Sequence, residues 1–284
     1  MKSLKDTTII ICGIVRDASR GLKRNIPVID ALCREVKDFR IVIYENDSKD
    51  GTKGRLRTWH ESNPVRIHTI MTDTDPTKTI PTARAVKGNP FFSHKRIDKM
   101  ARLRNEYMKY VDEQGWTADY LMVVDMDVAQ LYIGGILDSL QTEKEWDAVV
   151  ANGYSTSPKL RRRYHDTYAL TLWEDRNQPQ TEAKITELAD RLGRLRRGDD
   201  WVRIASGFGG LAIYRYEAVK GLRYSAMDND DDRVEVRCEH YSIYDQMMNR
   251  GYDQFYINPS MEIHYQRLTW RIIWNSLKRK IQRR

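Results

Sequence analysis

At residues 119–130 the chain reads DYLMVVDMDVAQ. The apolar run Leu121-Met122-Val123-Val124 ends abruptly in Asp125-Met126-Asp127. Residues i and i+2 of an extended segment point to the same side. Two carboxylates at that spacing converge and repel, and a hard divalent cation such as Mg²⁺ or Mn²⁺ relieves the repulsion through oxygen ligands. The plainer reading is a strand that ends at solvent, where acids are ordinary. What else the chain brings to the same place decides between the two.

Two earlier apolar runs end in the same way. Residues 9–15 lead through Gly13 and Arg16 to Asp17, and residues 39–44 lead into Glu45, Asn46, Asp47 and Ser48. The elements that must position these ends are readable from periodicity. Leu22, Ile26, Ile29, Leu32, Cys33 and Val36 mark one helix, and Ile97, Met100, Leu103, Tyr107 and Val111 mark a longer one that stops near Gly115. Ser48 or Asp50 offers an N-cap for a helix through Trp59. Strands are expected over 9–15, 39–44, 65–71, 119–124 and 146–150. Strand and helix in alternation predict an α/β fold with a mainly parallel sheet flanked by helices. In such sheets ligands bind at the carboxyl ends of the strands. Three polar, acidic strand ends on one rim therefore favour a site.

Farther on, Ile185, Leu188, Leu192 and Leu195 predict a helix, and SGFGGLAIYR (206–215) predicts a glycine turn feeding a strand. Residues 72–96, with Pro76, Pro81 and Pro90, read as a surface excursion. DNDDDR (228–233) reads as an exposed acidic loop whose spacing is wrong for an EF-hand.

The 284 residues are 40% hydrophobic, enough for a sizeable core. Cys12, Cys33 and Cys238 form no spaced framework, which points to a reducing, cytoplasmic setting. The apolar run at 9–15 is too short for a membrane span and lacks a small-residue cleavage site, so the chain as given reads as soluble, without signal peptide or transmembrane segment. The net charge of +8 is uneven. The tail 265–284 carries Arg267, Arg271, Lys278, Arg279, Lys280, Arg283 and Arg284, with Trp270, Ile273, Trp274, Leu277 and Ile281 at helical spacing. This basic amphipathic helix either lies on a membrane surface or packs its apolar stripe on the domain. The basic clusters at 159–163 and 191–197 face anionic substrates or water. Basic residues interleaved with aromatics on one element are missing outside the tail, so no nucleic-acid partner is expected.

Five stretches, IVIYENDSKDGT, KMARLRNEYM, VVDMDV, RYHDTYAL and VRCEHYSIYDQMMNRGYDQFYINPSMEIHY, occur in that order. Over roughly residues 7–265 the chain resembles the nucleotide-sugar glycosyltransferases of the GT-A fold. More narrowly it resembles the fungal capsule-associated mannosyltransferases and their bacterial and viral relatives. The resemblance implies a Rossmann-like domain over 1–264, with a nucleotide-binding half (1–128) and an acceptor-binding half (129–264), followed by the tail. It implies metal-dependent transfer of a hexose, perhaps mannose, from a GDP- or UDP-sugar to a glycan or glycolipid acceptor. Mn²⁺ or Mg²⁺ is then held by Asp125 and Asp127 and completed by His264, with Asp125 also within reach of the ribose. Gly13 and Arg16, then Glu45, Asn46 and Asp47, match the nucleotide-contacting loops. Arg104 and Asn105 match a motif that faces nucleotide or donor sugar. Gly207, Gly209 and Gly210 resemble the glycine loop at the donor or acceptor site. Glu239 stands where an acid faces the acceptor, and His240 departs from the usual acidic pair.

The chemistry follows from charge. A departing diphosphate develops negative charge, which a carboxylate-held cation and basic side chains stabilise. An inverting reaction needs a group to take the acceptor proton. Glu239 is the first candidate for that role, with Asp166 and Asp245 as the others. A retaining reaction needs none. Plainer roles stay open: Glu45 as a turn cap, Arg104 in an ordinary ion pair, His264 in the core, Asp166 holding a loop, and Tyr154, Tyr164, Tyr168, Trp173 and Trp201 as core rather than a sugar platform. A sugar-nucleotide nucleotidyltransferase is the main rival, but it calls for a glycine-rich basic loop after the first strand, of which GIVRDAS is a poor version. A glycosidase places its carboxylates across the scissile bond, not on one strand end.

Overall fold

The computed structural model describes residues 3–73, 90–157 and 161–266, together with Trp274. The amphipathic tail beyond residue 266, most of the 72–96 excursion, and Lys159 and Leu160 lie outside the described residues, Trp274 excepted. In chain order the first half runs β1 (Thr8–Val15), α1 (Ser19–Glu35), β2 (Asp38–Asn46), α2 (Thr52–Ser62), β3 (Ile67–Thr72), α3 (His94–Glu113) and β4 (Tyr120–Val124). It continues with β5 (Gln130–Leu131), α4 (Ile133–Gln141), β6 (Ala148–Thr156), β7 (Arg162–Tyr164), β8 (Thr171–Leu172), α5 (Glu182–Arg191) and β9 (Val202–Ser206). The chain then forms β10 (Leu211–Arg215), α6 (Tyr216–Val219), β11 (Met227–Asp228), β12 (Val236–Arg237), α7 (Glu239–Met248) and β13 (Phe255–Gln266).

One sheet carries the molecule, in the order β3-β2-β1-β4-β10-β6-β13-β9-β8. Its central strands carry apolar residues at consecutive positions, as in Ile9–Cys12 and Leu121–Val124, because both faces are covered. In β1, Ile10 and Cys12 join one core, and Ile9 and Ile11 join the other. In β4 the same alternation sends Leu121 and Val123 to the first core and Met122 and Val124 to the second. Helices α3, α5 and α7 cover the first face, and α1, α2 and α4 cover the second.

The expected strand–helix alternation and the mostly parallel sheet are present. β3, β2, β1 and β4 are parallel neighbours, and β13 is parallel to β6. The second half is more mixed than periodicity suggested, because β10 enters antiparallel between β4 and β6. This insertion positions the site. Val15 of β1 is level with Glu45 of β2, and Val124 at the end of β4 is level with Leu211 at the start of β10. The ends of β1, β2 and β4 and the glycine turn before β10 therefore share one rim.

One local expectation changes. The helix over 185–195 ends at Arg191 and tightens into a 3-10 turn at Leu192–Arg194, where Gly193 passes the Arg162 carbonyl oxygen too closely for a side chain. The acidic stretch 228–233 is the largely exposed connection expected, running from β11 toward β12, and buried Asn229 anchors it through bonds to the main chain of Gln180 and Val234. All three cysteines are free and buried. Among the described residues no helix is long and apolar enough to cross a membrane.

Gly153 in β6 is a sensitive point, since a Cβ there would run into the Gly209 carbonyl oxygen. Gly153→Ala should cost about 1–3 kcal/mol, as overpacking does, and a urea unfolding curve will show it as a lower midpoint.

Candidate active site

The two strand-end carboxylates sit on the shared rim. The Asp125 N–H donates to the Gly210 carbonyl oxygen at 2.9 Å, which ties the acidic turn to the glycine turn. Gly209 and Gly210 have φ of +63° and +92°. Side chains there would meet Ala151 oxygen and the Tyr265 ring, so glycine is required by both backbone conformation and space. The Asp125 carboxylate accepts from the Tyr265 hydroxyl at 3.0 Å and lies 4.0 Å from Arg104 Nη2. Asp127 is exposed.

Across from the turn, Arg104 on α3 donates from Nε to Glu239 Oε1 at 2.9 Å, and both residues are buried. The guanidinium lies 4.9 Å from the Phe208 ring centroid and 5.8 Å from that of Tyr224. Its Nη1 has no hydrogen-bond partner among the described residues. His240 stacks on Phe208 at 4.0 Å, and neither ring nitrogen has a hydrogen-bond partner there. Burial, reinforced by the charge of Arg104, holds His240 neutral, well below the ordinary histidine pKa.

These groups line a cleft of about 380 Å³. Its carboxylates respond to one another in opposite ways. Burial pushes Asp125 up to about 7, with Arg104 opposing and Asp127 adding to the rise. Burial and the charges of Asp125 and Glu239 push Asp166 up to about 8. Burial would also raise Glu239, but the charge and hydrogen bond of Arg104 hold it down at about 2.

Of the residues expected at a site, the cleft gathers Arg16, Asn46, Arg104, Asp125, Asp127, Asp166 and Glu239. Others lie elsewhere. Gly13 is buried in β1, where a Cβ would stand 2.6 Å from Val124 oxygen, so it serves the close passage of β1 and β4. Glu45 is buried and caps its turn by accepting from the Ser48 N–H at 2.7 Å. Asp47, in the left-handed region at φ +53°, is buried beside Asn46 and lies outside the cleft lining. Asn105 faces away from the cleft, exchanging two hydrogen bonds with the Tyr224 main chain at 2.9 and 2.8 Å. Asp245 lies farther along α7, outside the cleft, with its carboxylate near Asn249.

His264 does not join the acidic pair. Its ring stacks on Tyr154 at 5.0 Å, and the next residue, Tyr265, reaches Asp125 from the register break in β13. Tyr265 was missed because a tyrosine is not a residue type sought for a metal site. Arg96, Lys99 and Tyr168 also line the cleft. Arg96, Lys99 and Arg104 recur at helical spacing on α3, a signal hidden behind the apolar periodicity that marked the helix.

Among the described residues no group of three or more His, Cys, Asp and Glu side chains could hold a metal ion. A pair of carboxylates nevertheless fits Mg²⁺ or Mn²⁺ when the ion completes its shell with water and ligand phosphates, as Mg²⁺ commonly does. The cations on the same cleft, Arg16, Arg96, Lys99 and Arg104, suit those phosphates. Burial is the main cause of the raised carboxylates, and a bound cation would favour their charged forms.

Removing one partner of a buried ion pair leaves the other uncompensated, so Arg104→Met should cost about 3–5 kcal/mol, and Arg104→Met with Glu239→Leu should recover much of it; paired urea titrations check both. Asp166 gives the pH test. Its folded pKa of about 8 lies above the ordinary value near 3.9, so ionising it weakens the fold progressively as pH rises from about 4 to about 8. Asn tolerates the φ of +64° at this position. Asp166→Asn should raise the melting temperature at pH 8 by a few degrees and leave it unchanged at pH 4, as thermal melts across that range will show.

Residues 19–244, most of the chain, match the family model described as Cryptococcal mannosyltransferase 1. No curated protein matches the sequence. Among solved structures, Staphylococcus aureus TarS is similar at 9% identity and a TM-score of 0.51, over 95% of this chain and 38% of TarS. The mannosyltransferase PcManGT from Pyrobaculum calidifontis, solved with GDP-Man and Mn²⁺, is 12% identical at a TM-score of 0.48, over 98% of this chain and 61% of that one. Glucosyl-3-phosphoglycerate synthase from Mycobacterium tuberculosis, solved with phosphoglyceric acid, is 12% identical at 0.47, over 95% and 75%. The chain thus spans less than two thirds of TarS or of PcManGT, and the TarS likeness is one of fold. With its GT-A type sheet and the acidic turn on the rim, and by the match over residues 19–244, the chain belongs to the Cryptococcal mannosyltransferase 1 family.

Proposed function

We propose that the chain transfers a hexosyl group from a nucleoside-diphosphate sugar to a hydroxyl of a glycan or glycolipid, with Mn²⁺ or Mg²⁺ held by Asp125 and Asp127. The carrying observation is the composition of one cleft: a carboxylate pair at a strand end with four cations, Arg16, Arg96, Lys99 and Arg104, on the same walls. A metal-bound diphosphate is the ligand that needs both. The bound cation supplies Lewis-acid stabilisation of the leaving diphosphate. Tyr265 fixes the Asp125 carboxylate by its hydroxyl, and Glu239 orients Arg104 so that its remaining donors meet phosphate oxygens. Asn46, at the end of β2, sits at the nucleoside side. The first 128 residues thus supply most of the donor side, and 129–264 the acceptor side.

The proton of the acceptor hydroxyl falls to Asp166. Glu239, the first choice from sequence, is held near 2 by Arg104 and binds a proton weakly, whereas Asp166 at about 8 binds one readily near neutrality. Asp245 is outside the cleft. The family description supports mannose as the sugar, and GDP-mannose is the donor to try first.

The test is a thermal melt with Mn²⁺ and a panel of GDP- and UDP-sugars, beside Asp127→Asn. A ligand at about 100 times its Kd stabilises by about 2.7 kcal/mol, a rise of several degrees. Stabilisation that needs both metal and one nucleotide, and is lost in Asp127→Asn, is the expected result. Stabilisation instead by a nucleoside triphosphate with a sugar phosphate favours a nucleotidyltransferase, and no response to any nucleotide overturns the reading.

A further inference from the structure

Asn25 is an unusual residue for the middle of a helix. Its side chain competes with the helical backbone, yet it is buried at 1% exposure on α1. Both its N–H donors and its oxygen are engaged by one target outside the helix. Nδ2 donates to the carbonyl oxygens of Met126 at 3.0 Å and Val128 at 2.9 Å, and Oδ1 accepts from the Leu131 N–H at 3.3 Å. The two carbonyls it holds flank Asp127. Arg24 adds bonds to Ala129 oxygen at 2.9 Å and Val128 oxygen at 3.3 Å. One turn earlier Gly21 lets the helix touch the same turn, since a Cβ there would stand 2.5 Å from Asp127 Cα. Residues 21, 24 and 25 fall on one helix face.

The same helix is rooted in the nucleotide-facing loops. The Asp17 N–H donates to Ser48 Oγ at 2.9 Å, the Lys49 N–H to Asp17 Oδ1 at 2.7 Å, and the Ala18 N–H to Thr52 Oγ1 at 2.7 Å. The first two turns of α1 therefore join the loops after β1 and β2 to the acidic turn after β4.

We propose that Asn25, assisted by Gly21 and Arg24, is the positioning residue of the metal-binding turn. It grips the main chain on both sides of Asp127, so an exposed carboxylate stands on a fixed backbone before the cation and diphosphate arrive. Binding groups lose affinity when the shell that orients them is loosened. The inference rests on the assignment of Asp125 and Asp127 to the cation.

Asn25→Leu keeps the volume and removes all three of these bonds to the turn, leaving Arg24 as the remaining side-chain partner of the Val128 oxygen. Arg24→Gln, at an exposed position, is the milder variant that keeps the fold. Two readouts apply. Amide exchange over 126–131, measured without metal, should be faster in Asn25→Leu than in the wild type. Mn²⁺ affinity, read from the free Mn²⁺ spin-resonance signal with GDP or UDP present, should weaken on the order of 10-fold in Asn25→Leu and less in Arg24→Gln. Nucleotide affinity without metal should stay constant. A purely structural role would lower the melting temperature while leaving the Mn²⁺ affinity of the folded protein unchanged. Wild-type affinity in both variants therefore overturns the proposal and leaves the transferase reading intact. If Asn25→Leu does not fold, unchanged affinity in Arg24→Gln alone has the same meaning. Failure of the wild type to take up Mn²⁺ with either nucleotide overturns both.

Discussion

The buried pair of Arg104 and Glu239 is the interaction around which the cleft is arranged. A guanidinium and a carboxylate taken out of water are tolerable only together, so α3 and α7 are held at one separation. Phe208 and Tyr224 border the guanidinium, and His240, next to Glu239 and pressed on Phe208, is kept uncharged by burial and by the same cation. The pair also divides labour among the acids. Glu239 is ionised permanently and spends its charge on Arg104. Asp125 and Asp166, in the same field but farther from the guanidinium, are left with repulsion as well as attraction.

This imbalance connects the fold to the chemistry. A doubly wound sheet collects strand ends on one rim, and here acids and cations share one cleft in which burial, more than any neighbouring charge, raises Asp125 and Asp166. In the function proposed above, a cation answers the carboxylates, and the phosphates that accompany it answer the arginines and lysine. The antiparallel β10 matters because it carries the glycine turn to the tip of β4, where Gly210 accepts the Asp125 N–H. With a parallel strand in that place, the turn would lie at the opposite end of the sheet.

Much of this was legible before any coordinates. The strands at 9–15, 39–44 and 119–124 announced themselves by largely apolar runs without alternation, because a strand buried on both faces has no polar side to show. Asp125 and Asp127 were legible because two charges after four apolar residues have few structural uses. The rest was hidden for definite reasons. The direction of β10 depends on a pairing with β4 some ninety residues away, which local periodicity does not encode. His264 and Tyr265 are adjacent in sequence, and only the register break in β13 decides which of them faces the acids. Asn105 looked like a ligand contact because it follows Arg104, but one step along a helix turns a side chain by about a quarter of the circle. Asn25 carried no motif; its partners lie about a hundred residues onward.

Among the described residues, three other than glycine adopt the left-handed backbone conformation, and all are aspartates: Asp17, Asp47 and Asp166. Each stands in a loop beside the cleft or its rim. Such geometry is tolerated by Gly, Asn and Asp and resisted by branched side chains. Drift at these three positions is therefore channelled. A lineage that loses a negative charge here passes to asparagine or glycine, keeping the loop shape while changing its electrostatics. The rim can be retuned to a differently charged ligand by single steps that leave its architecture alone.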